Sequence, residues 1–258
     1  MLTRQEHYLS GARLLSAVQA THRQGGGEAL WGWMADSEFL FGRAGANSRR
    51  ANDINIDPDD WNATTNGGPY CHLDGAAEYF DGGDNTEFEF GAYNALIWHW
   101  CNPDTLPGAD MIIVSKWGNG ATHRQYRLKW DTGAGAFQFE VSTDGTAIST
   151  VTSTYVEAAT EWYFVAGYFT PSDAAGLRIY VGEATDDVLT TDTALSPAQI
   201  YTLGTSAFEI GAENVGNELW DGKIGIGAGR REVTPGAGFA DIDGYAARLF
   251  AETKLKYR

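Results

Sequence analysis

Glu87 and Glu89 stand two residues apart and alternate with Phe88 and Phe90. On an extended strand such side chains point the same way. Two carboxylates facing a cleft can hydrolyse a glycosidic bond, one as acid and one as nucleophile. The alternation also has a plainer reading, the wetted face of an outer strand whose phenylalanines face a core. That reading is adopted, and no catalytic residue is assigned. A second segment, Lys116-Trp117-Gly118-Asn119-Gly120-Ala121-Thr122-His123-Arg124, places an aromatic ring among amide and guanidinium donors. A ring can stack on the C–H face of a pyranose while planar groups bond its hydroxyls. Trp117, Asn119, His123 and Arg124 are therefore the candidate ligand residues, with a loop around a core tryptophan as the alternative. Asp81, Asp84 and Asp221 offer the hard oxygens that suit calcium, though Asp-Gly is also ordinary turn chemistry. His7, His22, His72, His99 and His123 show no metal spacing, so no metal ligand is assigned. Neither a Gly-x-Ser-x-Gly elbow nor a phosphate-binding Gly-x-x-x-x-Gly-Lys loop occurs.

The elements that must carry these residues are mostly strands. Tyr126, Leu128 and Trp130 alternate with Arg127 and Lys129. Phe137, Phe139 and Val141 alternate with Gln138 and Glu140, and Leu177, Ile179 and Val181 with Arg178 and Tyr180. Asp144-Gly145 marks a hairpin. Strands with no long helices between them predict antiparallel sheets packed face to face. Ser196-Pro197 predicts one helical turn. The tail from Asp241 to Lys256 predicts a helix with Tyr245, Leu249 and Phe250 facing inward.

Residues 1–70 read differently and are expected to form an arm. They hold no lysine, with 8 acidic and 6 basic residues. Residues 4–22 predict a helix, with Leu14, Leu15 and Val18 near one face and Gly25-Gly26-Gly27 as its stop. Trp31, Trp33, Met34, Phe39 and Phe41 crowd a short window and demand a covering surface. Leu14, Leu15, Trp31, Trp33, Phe39 and Phe41 are the candidate docking residues. Residues 71–258 are expected to form the sandwich.

Lys and Arg number 18 against 34 Asp and Glu, a formal net charge of −16. That balance argues against nucleic acid, whose phosphates need basic side chains, and against an anionic membrane surface. No stretch approaches the roughly 18 apolar residues of a transmembrane helix. The first twenty residues do not read as a signal peptide, because Ser, Gln and Arg break the apolar part and Glu6 sits in the would-be basic region. Cys71 and Cys101 are too few for a disulfide scaffold and read as buried free thiols, with a bridge across a sheet as the alternative.

Six stretches in order resemble the laminin-G-like, concanavalin A-like domain family: Leu73-Asp74-Gly75, Trp100 with Pro103-Asp104, Ile113 to Trp117, Glu161 to Gly167, Gly176 to Val181, and Leu219 to Ile224. The resemblance runs over residues 71–230. It implies a two-sheet antiparallel jelly-roll sandwich, with Trp100 and Trp162 buried on facing sheets. Some β-glucanases of this sandwich carry Glu-x-Asp-x-x-Glu on one strand, which this chain lacks. Related sandwiches often hold calcium through an Asp just after the Gly-Lys-Ile run, where this chain has Gly225. The resemblance and the residues together predict an all-β, non-catalytic binding or structural module with no cofactor, calcium being the alternative. The absent signal peptide and the aromatic arm point to a bacteriophage particle component, a capsid decoration or tail-associated protein able to bind surface glycans. Its partners would be other particle proteins or further copies of itself, at a virion surface or outside cells. A secreted lectin or a glycoside hydrolase of the same fold is the alternative.

Overall fold

The alternating segments pair into two antiparallel sheets packed face to face. The computed structural model describes residues 61–231, apart from 85, 107, 119–122 and 215, and residues 241–258; within 28–54 it describes four strand backbones. In chain order the strands are β1 (Glu28–Met34), β2 (Phe39–Phe41), β3 (Ser48–Arg50), β4 (Asn52–Ile54), β5 (Trp61–Ala63), β6 (Pro69–Asp74), β7 (Tyr79–Gly83), β8 (Ala95–Pro103) and β9 (Met111–Trp117). They continue as β10 (Arg124–Asp131), β11 (Ala136–Ser142), β12 (Ile148–Thr152), β13 (Tyr163–Phe169), β14 (Leu177–Glu183), β15 (Thr190–Ala194), β16 (Phe208–Ile210) and β17 (Asp221–Arg231). Sheet A runs β15-β14-β13-β8-β17-β1-β2-β3, with β6 on the other half of β17 and β5 on β6. Sheet B runs β12-β11-β10-β9-β16-β7-β4.

The core between the sheets is built by the inward positions of the period-two pattern. Tyr126, Leu128 and Trp130 of β10 meet Phe137, Phe139 and Val141 of β11, and across from them lie Ile97, Val165 and Ile179 of sheet A. All nine residues of β8 are buried, so this strand shows no polar face. The cause is a third layer. Helix α1 (Ile242–Thr253) lies over the outer face of sheet A, where Trp98, Trp100, Phe164 and Tyr180 pack on Tyr245, Leu249 and Phe250. The tail helix is thus as expected, with Asp241 as its cap through a bond from Gly244 N. Asp144-Gly145 forms the expected hairpin between β11 and β12, Gly145 adopting φ +84.

Several expectations are corrected. The helix of the described residues is C-terminal; residues 4–22, with Leu14 and Leu15, lie outside them. The segment expected as an arm contributes β1 to β5. β1 pairs with β17 and β2, β4 with β7, and β5 with β6, so sheet pairing does not break at residue 70. Trp31 and Trp33 sit on β1 and Phe39 and Phe41 on β2, in the backbone of sheet A, and their side chains lie outside the described residues. Thr86–Phe88 is a 3-10 turn, not a strand, closed by Glu89 N to Thr86 O at 3.2 Å. Phe88 and Phe90 are nonetheless both core residues. Residues 195–202 form no helical turn. Tertiary bonds claim their backbone, from Ser196 N to Asp173 O and from Ile200 N to Gly91 O. Trp100 is fully buried, but on the helix side of sheet A; Trp162 precedes β13 of the same sheet and is half-buried. Cys71 and Cys101 are both buried and are not joined in a disulfide. They pair with Ile224 from opposite sides, two strand spacings or about 10 Å apart, beyond disulfide reach.

Candidate functional site

Three groups of polar and aromatic residues stand out, each placed by strand register. The first contains the sequence-predicted ligand residues. Arg124 pairs with Trp117 across β10 and β9, which brings them together with His123 at one rim of the sandwich. His123 Nδ1 lies 3.1 Å from Thr205 Oγ1, and Arg124 Nη1 donates to Thr146 O at 3.3 Å. Both side chains are half-buried. Trp117 is not open for stacking. It is 2 % exposed, and the guanidinium groups of Arg127 and Arg124 lie 4.6 and 5.8 Å from its ring centroid. Protein cations occupy the place a sugar face would take. Asn119 lies outside the described residues. On the inner side of the same rim Lys116 Nζ donates to Asp84 Oδ1 and Ser206 O, both at 2.8 Å. Glu89 is half-buried there, and burial pushes its carboxyl above the usual range. The side chain of Glu87 lies outside the described residues.

The second group is an ion-pair network on the outer face of sheet B. Arg127 and Lys129 occupy the outward positions of β10 between its core aromatics. Arg127 Nε donates to Glu140 Oε2 at 2.6 Å, and Nη1 donates to Glu213 Oε2 at 2.6 Å and Glu218 Oε2 at 3.2 Å. Lys129 Nζ donates to Asp110 Oδ2 at 2.7 Å and Asp131 Oδ2 at 2.6 Å. Burial, with Glu218 repelling, pushes Glu213 up to about 7 against the pull of Arg127. Burial raises Glu218 as well. These are the acids nearest to glycosidase chemistry, but each is hydrogen-bonded to a guanidinium, and Glu140 and Glu213 are buried.

The third group was not singled out in the sequence. Lys223 of β17 pairs with His72 of β6 on one side and Asn102 of β8 on the other. His72 Nε2 lies 2.7 Å from Asp104 Oδ2, and Lys223 Nζ donates to Asp104 Oδ1 at 3.0 Å. Burial pulls the Asp104 carboxyl upward, but the bonds from Lys223 and His72 outweigh it and hold it below its usual value. Beside them Trp162 packs on Tyr257 at 4.6 Å and Tyr70 at 5.6 Å between centroids. The signal was available as the intermediate members of alternating strands, His72 between buried Cys71 and Leu73, and Lys223 before buried Ile224.

Gly225, where the resemblance led to the expectation of an Asp in a calcium-binding relative, is closed by packing. A Cβ there would lie 2.6 Å from Tyr257 Oη, whose hydroxyl bonds Ile226 N and Pro69 O. Among the described residues no cluster of His, Cys, Asp or Glu is poised to hold a metal ion.

The family model described as the Concanavalin A-like lectin/glucanases superfamily matches residues 74–225. The chain belongs to this superfamily. No curated protein matches it. Among solved structures it is similar to domain 4 of AbnA, a GH43 extracellular arabinanase from Geobacillus stearothermophilus, in complex with arabinotriose. The TM-score is 0.56 at 13% identity, covering 86% of this chain and 98% of that one. It is also similar to a structure of botulinum neurotoxin type C described by its interaction with two ganglioside molecules, with TM-score 0.54, 8% identity, and 91% and 53% coverage. A third is the binding domain of botulinum neurotoxin DC in complex with rat synaptotagmin II, with TM-score 0.52, 10% identity, and 89% and 52% coverage. The chain thus spans about half the length of the toxin chains. At these identities the likeness is one of fold.

Proposed function

We propose that this protein is a non-catalytic saccharide-binding module. The observation that carries the non-catalytic part is the Arg127 network. Glycoside hydrolysis needs two carboxyl groups free to flank a sugar. Here Glu140, Glu213 and Glu218 converge on one guanidinium within 2.6–3.2 Å, and Arg127 itself is buried. Glu140 and Glu213 are too buried to reach a glycosidic oxygen, and Glu218, 35% exposed, is left without a second free carboxyl to face it across a sugar. The saccharide part is supported by membership of a lectin/glucanase superfamily and by likeness to domains solved with arabinotriose or described with gangliosides. The finer reading, a glycan-binding component of a bacteriophage particle, rests on sequence context alone. A glycan array probed with the full chain tests the proposal. Saturable binding to a defined set of saccharides is expected; an array with no signal above a denatured control refutes it.

A further inference from the structure

We propose that the end of the outer face of sheet A, where Trp162, Lys223, His72 and Asp104 gather, binds an uncharged saccharide longer than one ring. This rests on the saccharide-binding reading above and adds a location and a ligand class.

Register builds the site. Residues directly paired across antiparallel strands point to the same face. His72, Lys223 and Asn102 therefore share the outer face of sheet A. Trp162 stands one residue before the Tyr163–Cys101 pair and so lies beside Asn102. Four neighbouring chain segments thus form one row, in which Asn102 is buried as the floor, its Nδ2 donating to Thr160 O at 2.8 Å, while His72, Lys223 and Trp162 stand on either side of it. At about 4.8 Å per strand the row spans roughly 14 Å, room for more than one sugar ring.

Coverage of this face stops at the row. One position further in, Trp100 is fully buried under α1 and Tyr257. In the row the side chains of His72, Asp104 and Lys223 are 40%, 34% and 29% exposed. Trp162 and Tyr70 are half-buried. An indole held against two other rings offers apolar area at little cost in side-chain freedom.

Charge selects the ligand. Lys223 is neutralised by Asp104, and burial, with Asp104 and Asp74 repelling, raises the Asp221 carboxyl beside them. No cationic excess is left to attract a phosphate or a carboxylate. Hydroxyl groups fit, because each both donates and accepts. Asp104 holds two of its lone-pair sites in bonds to His72 and Lys223 and has others to accept from a sugar hydroxyl. A pocket or shelf with an apolar wall and a few placed polar groups is the usual way a small polar ligand is oriented.

The test uses the full chain and titration calorimetry with arabinotriose, cellotriose and mannotriose, and with sialyllactose as the acidic comparison. At least one uncharged trisaccharide is expected to bind. Trp162→Ala and Lys223→Met should each weaken it at least tenfold, while Leu203→Ala on the opposite rim leaves it unchanged. Trp162→Phe, which keeps a ring against Tyr257, should retain most of the affinity and guards against a folding defect. If the wild type binds and both Trp162→Ala and Lys223→Met bind equally well, the location is wrong and the saccharide reading stands. If only sialyllactose binds, the ligand class is wrong. If no saccharide binds, this inference and the reading beneath it both fail.

Discussion

Replacing Arg127 with methionine removes the one cation that three carboxylates share. The native guanidinium lies 2.6 Å from Glu140, 2.6 Å from Glu213 and 3.2 Å from Glu218. The side chains of Glu140 and Glu213 are only 9% and 4% exposed, so water cannot take its place. Lys129 reaches Glu140 at 3.9 Å and compensates in part. Breaking a buried pair by removing one partner costs about 3–5 kcal/mol, a large share of the roughly 5–15 kcal/mol that holds a domain folded. The loss should depend on pH. Burial outweighs Arg127 and pushes the Glu213 carboxyl up to about 7, above the usual carboxylate range. Without the cation it must take up a proton to stay buried, so the deficit should be largest at pH 8 and shrink toward pH 5. Adding Glu213→Gln to the variant should recover part of it at pH 8. Urea denaturation followed by tryptophan fluorescence measures all three. A deficit below about 1 kcal/mol at pH 8, or one that does not change with pH, refutes the clamp.

Trp100→Ala should cost about 3–5 kcal/mol, because the ring is fully buried under α1 and its Nε1 donates to Thr253 Oγ1 at 2.8 Å; an unchanged melting temperature would contradict this placement. Glu157 is pushed up to about 7 by burial, and its Oε1 is buried with no hydrogen-bond partner among the described residues. A carboxyl raised in the folded state stabilises fully below its unfolded value near 4.5, and that stability is lost as pH rises through about 7. Glu157→Gln should therefore flatten the fall in stability between pH 5 and 8 by on the order of 1–3 kcal/mol; an unaltered slope would count against the buried carboxyl. EDTA should leave the melting temperature unchanged, since Tyr257 closes Gly225; a ligand at 100 times its dissociation constant would contribute about 2.7 kcal/mol, so a drop of several degrees recovered by calcium would overturn this.

Much of the fold was legible because strands with one wet face keep a period of two. β10 and β11 show it plainly, Tyr126, Leu128 and Trp130 facing in while Arg127 and Lys129 face out. β8 does not, because α1 buries its second face, and sequence alone could not say that Trp98, Trp100 and Trp162 all lie on the helix side rather than facing the other sheet. The acidic turn was misread for a related reason. Phe88 and Phe90 both reach the core from a 3-10 turn and the chain after it, which mimics a strand in the pattern of apolar residues. The site was less legible than the fold. Arg127 and Glu140 lie on adjacent strands, but Glu213 and Glu218 arrive from a loop 86 and 91 residues away with no periodic signal. Trp117 looked like a stacking platform because its neighbours are polar. The structure spends those neighbours, Arg124 and Arg127, on covering the ring. His72, Asp104 and Lys223 meet only when β6, β17 and β8 pair, so no local motif announces them.

The central claim is that the protein holds a saccharide and leaves it intact. Isothermal titration of the full chain with the best saccharide from a glycan array tests both halves in one trace. The account predicts injection heats that saturate and return to baseline each time, with the saccharide unchanged at the end. Heat flow that persists after each injection, as bond hydrolysis produces, would contradict it, and so would a featureless trace.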